Sequence, residues 1–165
     1  MIFVALGANL PSTIGPPRTT LDAAVHSLAQ EGGDIVARSR IYRSAPVPKS
    51  DQPEYLNAVV ALKSALDPVA LLDVLLRIEK RFGRVRREPN AARTLDLDLI
   101  ADDDMVRDVP PILPHPRMHQ RAFVLLPMAE IAPHWRHPRL GLGINALIDA
   151  LPAALRAETR PAMTD

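Results

Sequence analysis

The chain has 165 residues, 47% of them hydrophobic and 24% charged, with a net charge of +1. That balance suits one globular domain over 1–165 with a core of its own, and it gives no global attraction to nucleic acid. The absence of cysteine excludes disulfides and thiolate metal sites and leads to the expectation of a cytoplasmic enzyme; the apolar start, Met1 to Gly7, is too short for a signal peptide or a membrane span.

Ile2 to Ala8 reads as a short buried strand that stops at Asn9-Leu10-Pro11. From Thr20 to Gln30, Leu21, Ala24, Val25 and Leu28 recur at helical spacing, and Gly32-Gly33 ends the helix. Ile35 to Tyr42 alternates as a half-exposed strand, and Arg43 to Pro53 is a loop holding three prolines. Tyr55 to Lys63 alternates again, with Leu56, Ala58, Val60 and Leu62 on one face. Asp67-Pro68 opens a second helix with the stripe Leu71, Leu72, Leu75, Ile78 and Phe82, and Gly83 stops it. A strand follows from Thr94 to Ala101. The order β-α-β-β-α-β predicts an α+β domain: a ferredoxin-like antiparallel sheet with helices packed on it. Asp102-Asp103-Asp104 reads as a turn, followed by a proline-rich connection through Pro110, Pro111, Pro114 and Pro116. A helical stretch from Gln120 to Ile131, interrupted by Pro127, and a last helix from about Asn145 to Leu151 form a C-terminal helical extension. The polar residues after about Arg156 read as a frayed tail.

The chemistry concentrates between Gly83 and Ala101, G-R-V-R-R-E-P-N-A-A-R-T-L-D-L-D-L-I-A. Arg84, Arg86, Arg87 and Arg93 lead into Asp96-Leu97-Asp98. Strand alternation points Asp96 and Asp98 to one face, with Thr94 beside them, and sends Leu95, Leu97 and Leu99 into a core. Two carboxylates on one strand face suit a hard divalent cation such as Mg²⁺, which binds through one or two carboxylates plus substrate phosphates. The arginine forks suit phosphate oxygens. Equally, the same residues could form a surface salt-bridge cluster of little energetic weight, in a chain with 17 arginines to three lysines. There is no Walker-type or Rossmann glycine loop, so a bound nucleotide would rest on arginines and metal.

Five separated segments resemble one family, 6-hydroxymethyl-7,8-dihydropterin pyrophosphokinase. They are Ala5 to Leu10, Tyr42 to Val47, Asp51 to Ala58, Glu79 to Asp98, and Pro114-His115-Pro116 through Arg121 to Leu125 and on to Pro133. The resemblance implies transfer of pyrophosphate from ATP to the hydroxymethyl group of the reduced pterin, leaving AMP, with two Mg²⁺ ions held by Asp96 and Asp98. It implies that Arg84, Arg86 and Arg93 close over the phosphates, that His115 and Arg121 complete the anionic cradle, and that Glu79 and the backbone of Leu99 lie on the nucleoside side. Arg84, Arg93, Asp96 and Asp98 are thereby the catalytic candidates. Tyr55 and Phe123 match the stacking aromatics of the pterin site, Asn57 its edge reader, and Ser44, Ala45 and Val47 its wall. The partners implied are small molecules alone, with no nucleic acid or membrane, and the enzyme is expected to act as a monomer.

The chain departs from the family pattern in the lid. The loop from Arg86 to Arg93 is one residue shorter, with Glu88-Pro89-Asn90 where an arginine and a tryptophan often sit, so the stacking lid residue is either missing or replaced, with Asn90 the candidate replacement. Pro110 and Ile112 stand where some members have polar phosphate contacts. Two other functions compete: a catalytically weak pterin-binding relative, and an RNA-binding ferredoxin-like module, although aromatics are only 4% of the chain. His115 with His119, and His134 with His137, have helical metal-pair spacing but no acidic or cysteine partner. Trp135 reads as a packing or rim residue.

Overall fold

The computed structural model describes residues 1–85 and 90–163. Its elements are β1 (Ile2–Ala8), α1 (Pro17–Glu31), β2 (Asp34–Arg38), β3 (Tyr42–Ser44), β4 (Tyr55–Lys63), α2 (Pro68–Arg81), β5 (Asp96–Asp102), α3 (Ala122–Ile131), α4 (Ile144–Asp149), α5 (Ala153–Ala157) and β6 (Thr159–Pro161). The sheet runs β5-β1-β4-β3-β6, with β2 also paired to β4. The pairings are antiparallel throughout. This is the expected α+β sheet of βαββαβ order, with its second strand broken in two.

The break has a local cause. Ser39 donates its N–H to Val59 O at 2.9 Å, and its hydroxyl receives the Val59 N–H at 3.0 Å. A side-chain oxygen thus stands in for a backbone carbonyl, and the ladder is interrupted before it resumes at Tyr42. The single strand expected over Ile35 to Tyr42 is therefore two, and Arg43 and Ser44, expected in a loop, belong to the second.

β1 is buried along its whole length because both sheet faces are covered. Ile2, Val4 and Leu6 pack with α1 and α2 in one core; Phe3 and Ala5 pack with α3 and α4 in the other. Leu95, Leu97 and Leu99 enter the first core as expected. β4 is buried on both faces for the same reason, Val59 and Ala61 meeting the second core. The sheet therefore offers, among the described residues, no bare face of the kind the RNA-binding reading requires. Helix α2 begins where Asp67 accepts the Ala70 N–H at 2.8 Å and Pro68 takes the first turn. It ends at Phe82, and Gly83 takes φ +83°, a backbone that glycine adopts without a Cβ clash.

Two expectations after β5 are corrected. Pro127 lies inside α3 and does not interrupt it; it costs one backbone donor in a ten-residue helix that is packed against the sheet and α4. The residues after Arg156 do not fray at once. Thr159 to Pro161 form β6, paired with β3 in the register Ser44↔Thr159, Arg43↔Arg160 and Tyr42↔Pro161. No helix of the described residues is long and apolar enough to cross a membrane.

Candidate active site

The register sets one row of side chains across the sheet. Asp96 lies opposite Gly7 in β1, Gly7 opposite Asn57 in β4, and Asn57 opposite Tyr42 in β3. One step along, Asp98 lies opposite Ala5. These residues look towards the α3 side, where the helical layer stops at Arg121 and leaves a cleft. Its lining includes Gly7, Ser44, Ala45, Val47, Gln52, Tyr55, Asn57, Asn90, Arg93, Asp96, Asp98, Arg121 and Phe123. The open space is about 710 Å³ when the part that meets solvent is included. Gly7 forms the floor. A Cβ there would stand 3.2 Å from Asn57 Oδ1, so any side chain would crowd the amide and fill the cleft.

The two aspartates share the cleft, as the alternation predicts, but their surroundings differ. Asp96 accepts from Arg84 Nη1 at 2.7 Å through one oxygen and from Arg93 Nη1 at 2.7 Å through the other. Asp98 has a looser partner, Arg121 Nη1 at 3.8 Å. Burial, and then the neighbouring Asp96 charge, push the Asp98 carboxyl well above the usual carboxylate range. Glu79, Asp96 and Asp98 thus face Arg84, Arg93 and Arg121, and Asp98 is the carboxyl held most loosely. Two carboxylates on one strand face, beside open space, are an all-oxygen donor pair of the kind a hard divalent cation takes together with substrate phosphates.

Arg84 is the clearest departure from the expected phosphate grip. Its side chain is 7% exposed and does not line the cleft, since its guanidinium bridges Glu79 and Asp96. Glu79, 2% exposed, also accepts the Leu97 N–H at 2.9 Å. A carboxylate buried so deeply must be paired, and Arg84 is drawn under β5 to pair it. Glu79 therefore faces Arg84 and β5, and its side chain does not line the cleft. Leu99 packs its side chain in the first core. Arg86, with Arg87, Glu88 and Pro89, falls outside the described residues.

His115 sits beside β5, its N–H donating to Ile100 O at 2.8 Å. Burial first, then the Arg121 and Arg117 charges, lower its pKa to about 4. The ring is neutral at pH 7, and Nδ1 accepts the Arg117 N–H at 3.1 Å, which leaves the proton on Nε2. In an anionic cradle it is a neutral donor, not a cation. His119 meets His137 edge-on at 6.0 Å between centroids and does not pair with His115. Trp135 packs edge-on against Phe3 at 6.5 Å.

On the apolar side Tyr55 and Phe123 both line the cleft, and the Arg121 guanidinium lies 5.6 Å from the Phe123 centroid. Asn57 donates through Nδ2 to Ser44 Oγ at 2.7 Å. Two residues without a role assigned from sequence organise the loop. Asn9 Oδ1 accepts the Arg93 N–H at 2.8 Å, and its Nδ2 donates to Gln52 Oε1 and Pro53 O at 3.1 and 3.2 Å. Gln52 Nε2 donates to Asn90 O at 2.9 Å. The loop that delivers Arg93 is thus tied to the segment before β4. The signal was Asn9 itself, a polar residue closing an apolar strand; its partners lie more than forty residues away, beyond any local pattern. Asn90, the candidate lid residue, lines the cleft and takes φ +61°.

The family model for 7,8-dihydro-6-hydroxymethylpterin-pyrophosphokinase (HPPK) matches residues 3–133. The 2-amino-4-hydroxy-6-hydroxymethyldihydropteridine pyrophosphokinase of Synechocystis sp. is 45% identical over 148 residues, covering 88% of this chain and 73% of that protein. The protein of that name from Pseudomonas aeruginosa is 40% identical over 153 residues, covering 92% and 91%. Among solved structures, Plasmodium falciparum HPPK-DHPS with pteroate is similar at a TM-score of 0.71 and 14% identity. That match covers 90% of this chain but 43% of the fused one, and it is a likeness of fold. The chain belongs to the 7,8-dihydro-6-hydroxymethylpterin-pyrophosphokinase family.

Proposed function

We propose that Asp96 and Asp98 hold two Mg²⁺ ions against an ATP triphosphate while Tyr55, Asn57 and Phe123 hold the pterin. The chain is a pyrophosphokinase of folate biosynthesis, transferring pyrophosphate from ATP to 6-hydroxymethyl-7,8-dihydropterin and leaving AMP and the pterin diphosphate. The pterin hydroxyl oxygen forms a bond to the β-phosphorus and gives up its proton to water as the bond between that phosphorus and the α,β-bridging oxygen breaks, the bridging oxygen leaving with AMP. The observation that supports these roles is the sharing of one cleft by a carboxylate pair, two guanidinium groups and two aromatic rings.

Each group has a part that its setting favours. When bound, Mg²⁺ would neutralise charge on the attacking and leaving oxygens. Arg93 and Arg121, which line the cleft, present planar donors to phosphate oxygens. Arg84 acts from beneath by holding Asp96 in place, so it is a positioning residue in this reading. His115 offers Nε2–H as a neutral donor. Arg86 and the backbone of Leu99 complete the proposed ATP contacts. Tyr55 and Phe123 stack on the flat ring, and Ser44, Ala45 and Val47 wall it. The same reading takes small molecules as the partners, a monomer as the acting form and the cytoplasm as the location.

The direct test is product analysis. The protein incubated with ATP and 6-hydroxymethyl-7,8-dihydropterin should release AMP in the presence of Mg²⁺ and lose turnover when the metal is chelated. Release of ADP, or undiminished turnover without divalent metal, would overturn the mechanism.

A further inference from the structure

The segment after the residues matched by the family model reaches back to the cleft. β6 pairs with β3, and Ala162 N–H donates to Ile41 O at 2.8 Å, closing the pairing at its far end. Two ion pairs tie the same segment to the loop between β3 and β4: Glu158 with Lys49 at 3.2 Å, and Arg160 with Glu54 at 3.6 Å. Each is exposed and worth little by itself. Together they grip the middle and the far end of the loop that carries Val47 and Gln52. Leu155, Glu158 and Thr159 also wall a second hollow that continues the cleft past Phe123 and Arg121.

The strand so gripped has only three residues. β3 carries Ser44, which is buried opposite Thr159, itself buried. Ser44 Oγ accepts the Asn57 Nδ2 proton at 2.7 Å, and this contact anchors the amide beside Gly7. The end beside Gly7 is Oδ1, an acceptor suited to an N–H of a ring edge. Without β6, β3 would be a three-residue edge strand with one ladder to hold it, and short edge strands are weakly held.

We infer that the C-terminal strand Thr159–Pro161 is a positioning element of the pterin site: by pairing with β3 it fixes Ser44, and through Ser44 it orients the Asn57 amide. This rests on the pterin reading of the cleft. The strand acts on one substrate only, because Asp96 is held by Arg84 and Arg93, Arg93 by Asp96 and Asn9, and Asp98 faces Arg121, with β6 bonded to none of them among the described residues.

The experiment uses the full chain with Ala162→Pro, which removes the N–H that bonds Ile41 O, beside Ala162→Ser, which keeps it. Calorimetry with 6-hydroxymethylpterin in the presence of Mg²⁺ and a nonhydrolysable ATP analogue should show Ala162→Pro weakened about tenfold, the scale of one lost positioned hydrogen bond. KM for the pterin should rise with it, while KM for ATP stays level and Ala162→Ser matches the parent. Pterin affinity equal to the parent in Ala162→Pro, with hydrogen exchange showing the Arg43 and Ser44 amides newly exposed, would overturn the inference. If Ala162→Pro does not fold, Ser44→Ala against Ser44→Thr decides: loss of pterin affinity in the first and recovery in the second supports it, and equal affinity in both refutes it. A parent protein that binds no pterin would instead remove the reading of the cleft itself.

Discussion

Asp96 and Asp98 are two residues apart and chemically identical, yet their environments assign them different work. Asp96 is held by two arginines, one of them pinned by buried Glu79, so its position is fixed before any ligand arrives. Asp98 has one distant cation and a carboxyl whose charge is disfavoured by burial and by Asp96. Asp98→Asn should therefore leave metal-free stability unchanged or slightly raised, since it removes like-charge repulsion. Turnover should fall about 10³-fold, the equivalent of roughly 4 kcal/mol of transition-state stabilisation by metal. Thermal unfolding beside a steady-state assay checks both halves, and metal-dependent activity persisting at the parent level would contradict the ligand role. Glu79→Ala should do the reverse first: it strands Arg84 and the Leu97 N–H in the interior, a loss of about 3 to 5 kcal/mol, measurable as a lowered urea midpoint. The D-x-D pair was legible because strand alternation is a strict period of two. Arg84 was not legible as a support, because nothing local says that Glu79, in the last turn of α2, is buried behind β5.

α3 does more than cover the sheet; its last turn is bonded to the strand that carries Ser44. Glu130 accepts from the Arg40 N–H at 2.9 Å, from Arg40 Nε at 3.0 Å and from the Tyr42 hydroxyl. Burial opposes ionisation of Glu130, but those donors outweigh it and lower its pKa from 4.5. Burial and the same carboxylate push Tyr42 up to about 12. Because the folded-state pKa of Glu130 is depressed, its contribution is whole above the unfolded value of 4.5 and is lost as pH falls through the lower folded one. Glu130→Gln should accordingly cost about 1 kcal/mol at neutral pH. It should show a shallower loss of stability between about pH 5 and pH 3 than the parent, read from urea midpoints across that range. A parent and variant that lose stability in parallel would show that Glu130 is not the group responsible. The elements themselves differed in legibility for reasons of length and reach. α2 announces its cap, stripe and stop within the seventeen residues from Asp67 to Gly83. β6 is three residues with no alternation, ending in proline, and exists only because β3, more than a hundred residues earlier, offers it an edge. The break between β2 and β3 is equally silent, since it depends on one serine hydroxyl meeting Val59.

Across the whole molecule, the site is assembled where four strands, the start of α3 and two loops meet, while the two cores lie behind it. The proposed catalytic groups are thus supported by a scaffold whose stability does not pass through them, apart from the Glu79–Arg84 pair. That separation makes ligand binding an independent addition to folding stability. A ligand that binds only the folded chain adds RT ln(1 + [L]/Kd), about 2.7 kcal/mol at one hundred times Kd. For a chain of this length that corresponds to a rise in Tm of roughly 5 to 10 °C. Mg²⁺ with a nonhydrolysable ATP analogue should produce such a rise, and either component alone should produce much less, because the carboxylate pair and the triphosphate each need the cation between them. In Asp98→Asn the joint effect should largely disappear while the ligand-free Tm stays in place. An ATP analogue that stabilises parent and Asp98→Asn equally, with or without Mg²⁺, would mean that the arginines alone carry the nucleotide and that the two aspartates answer to the surface salt-bridge reading instead.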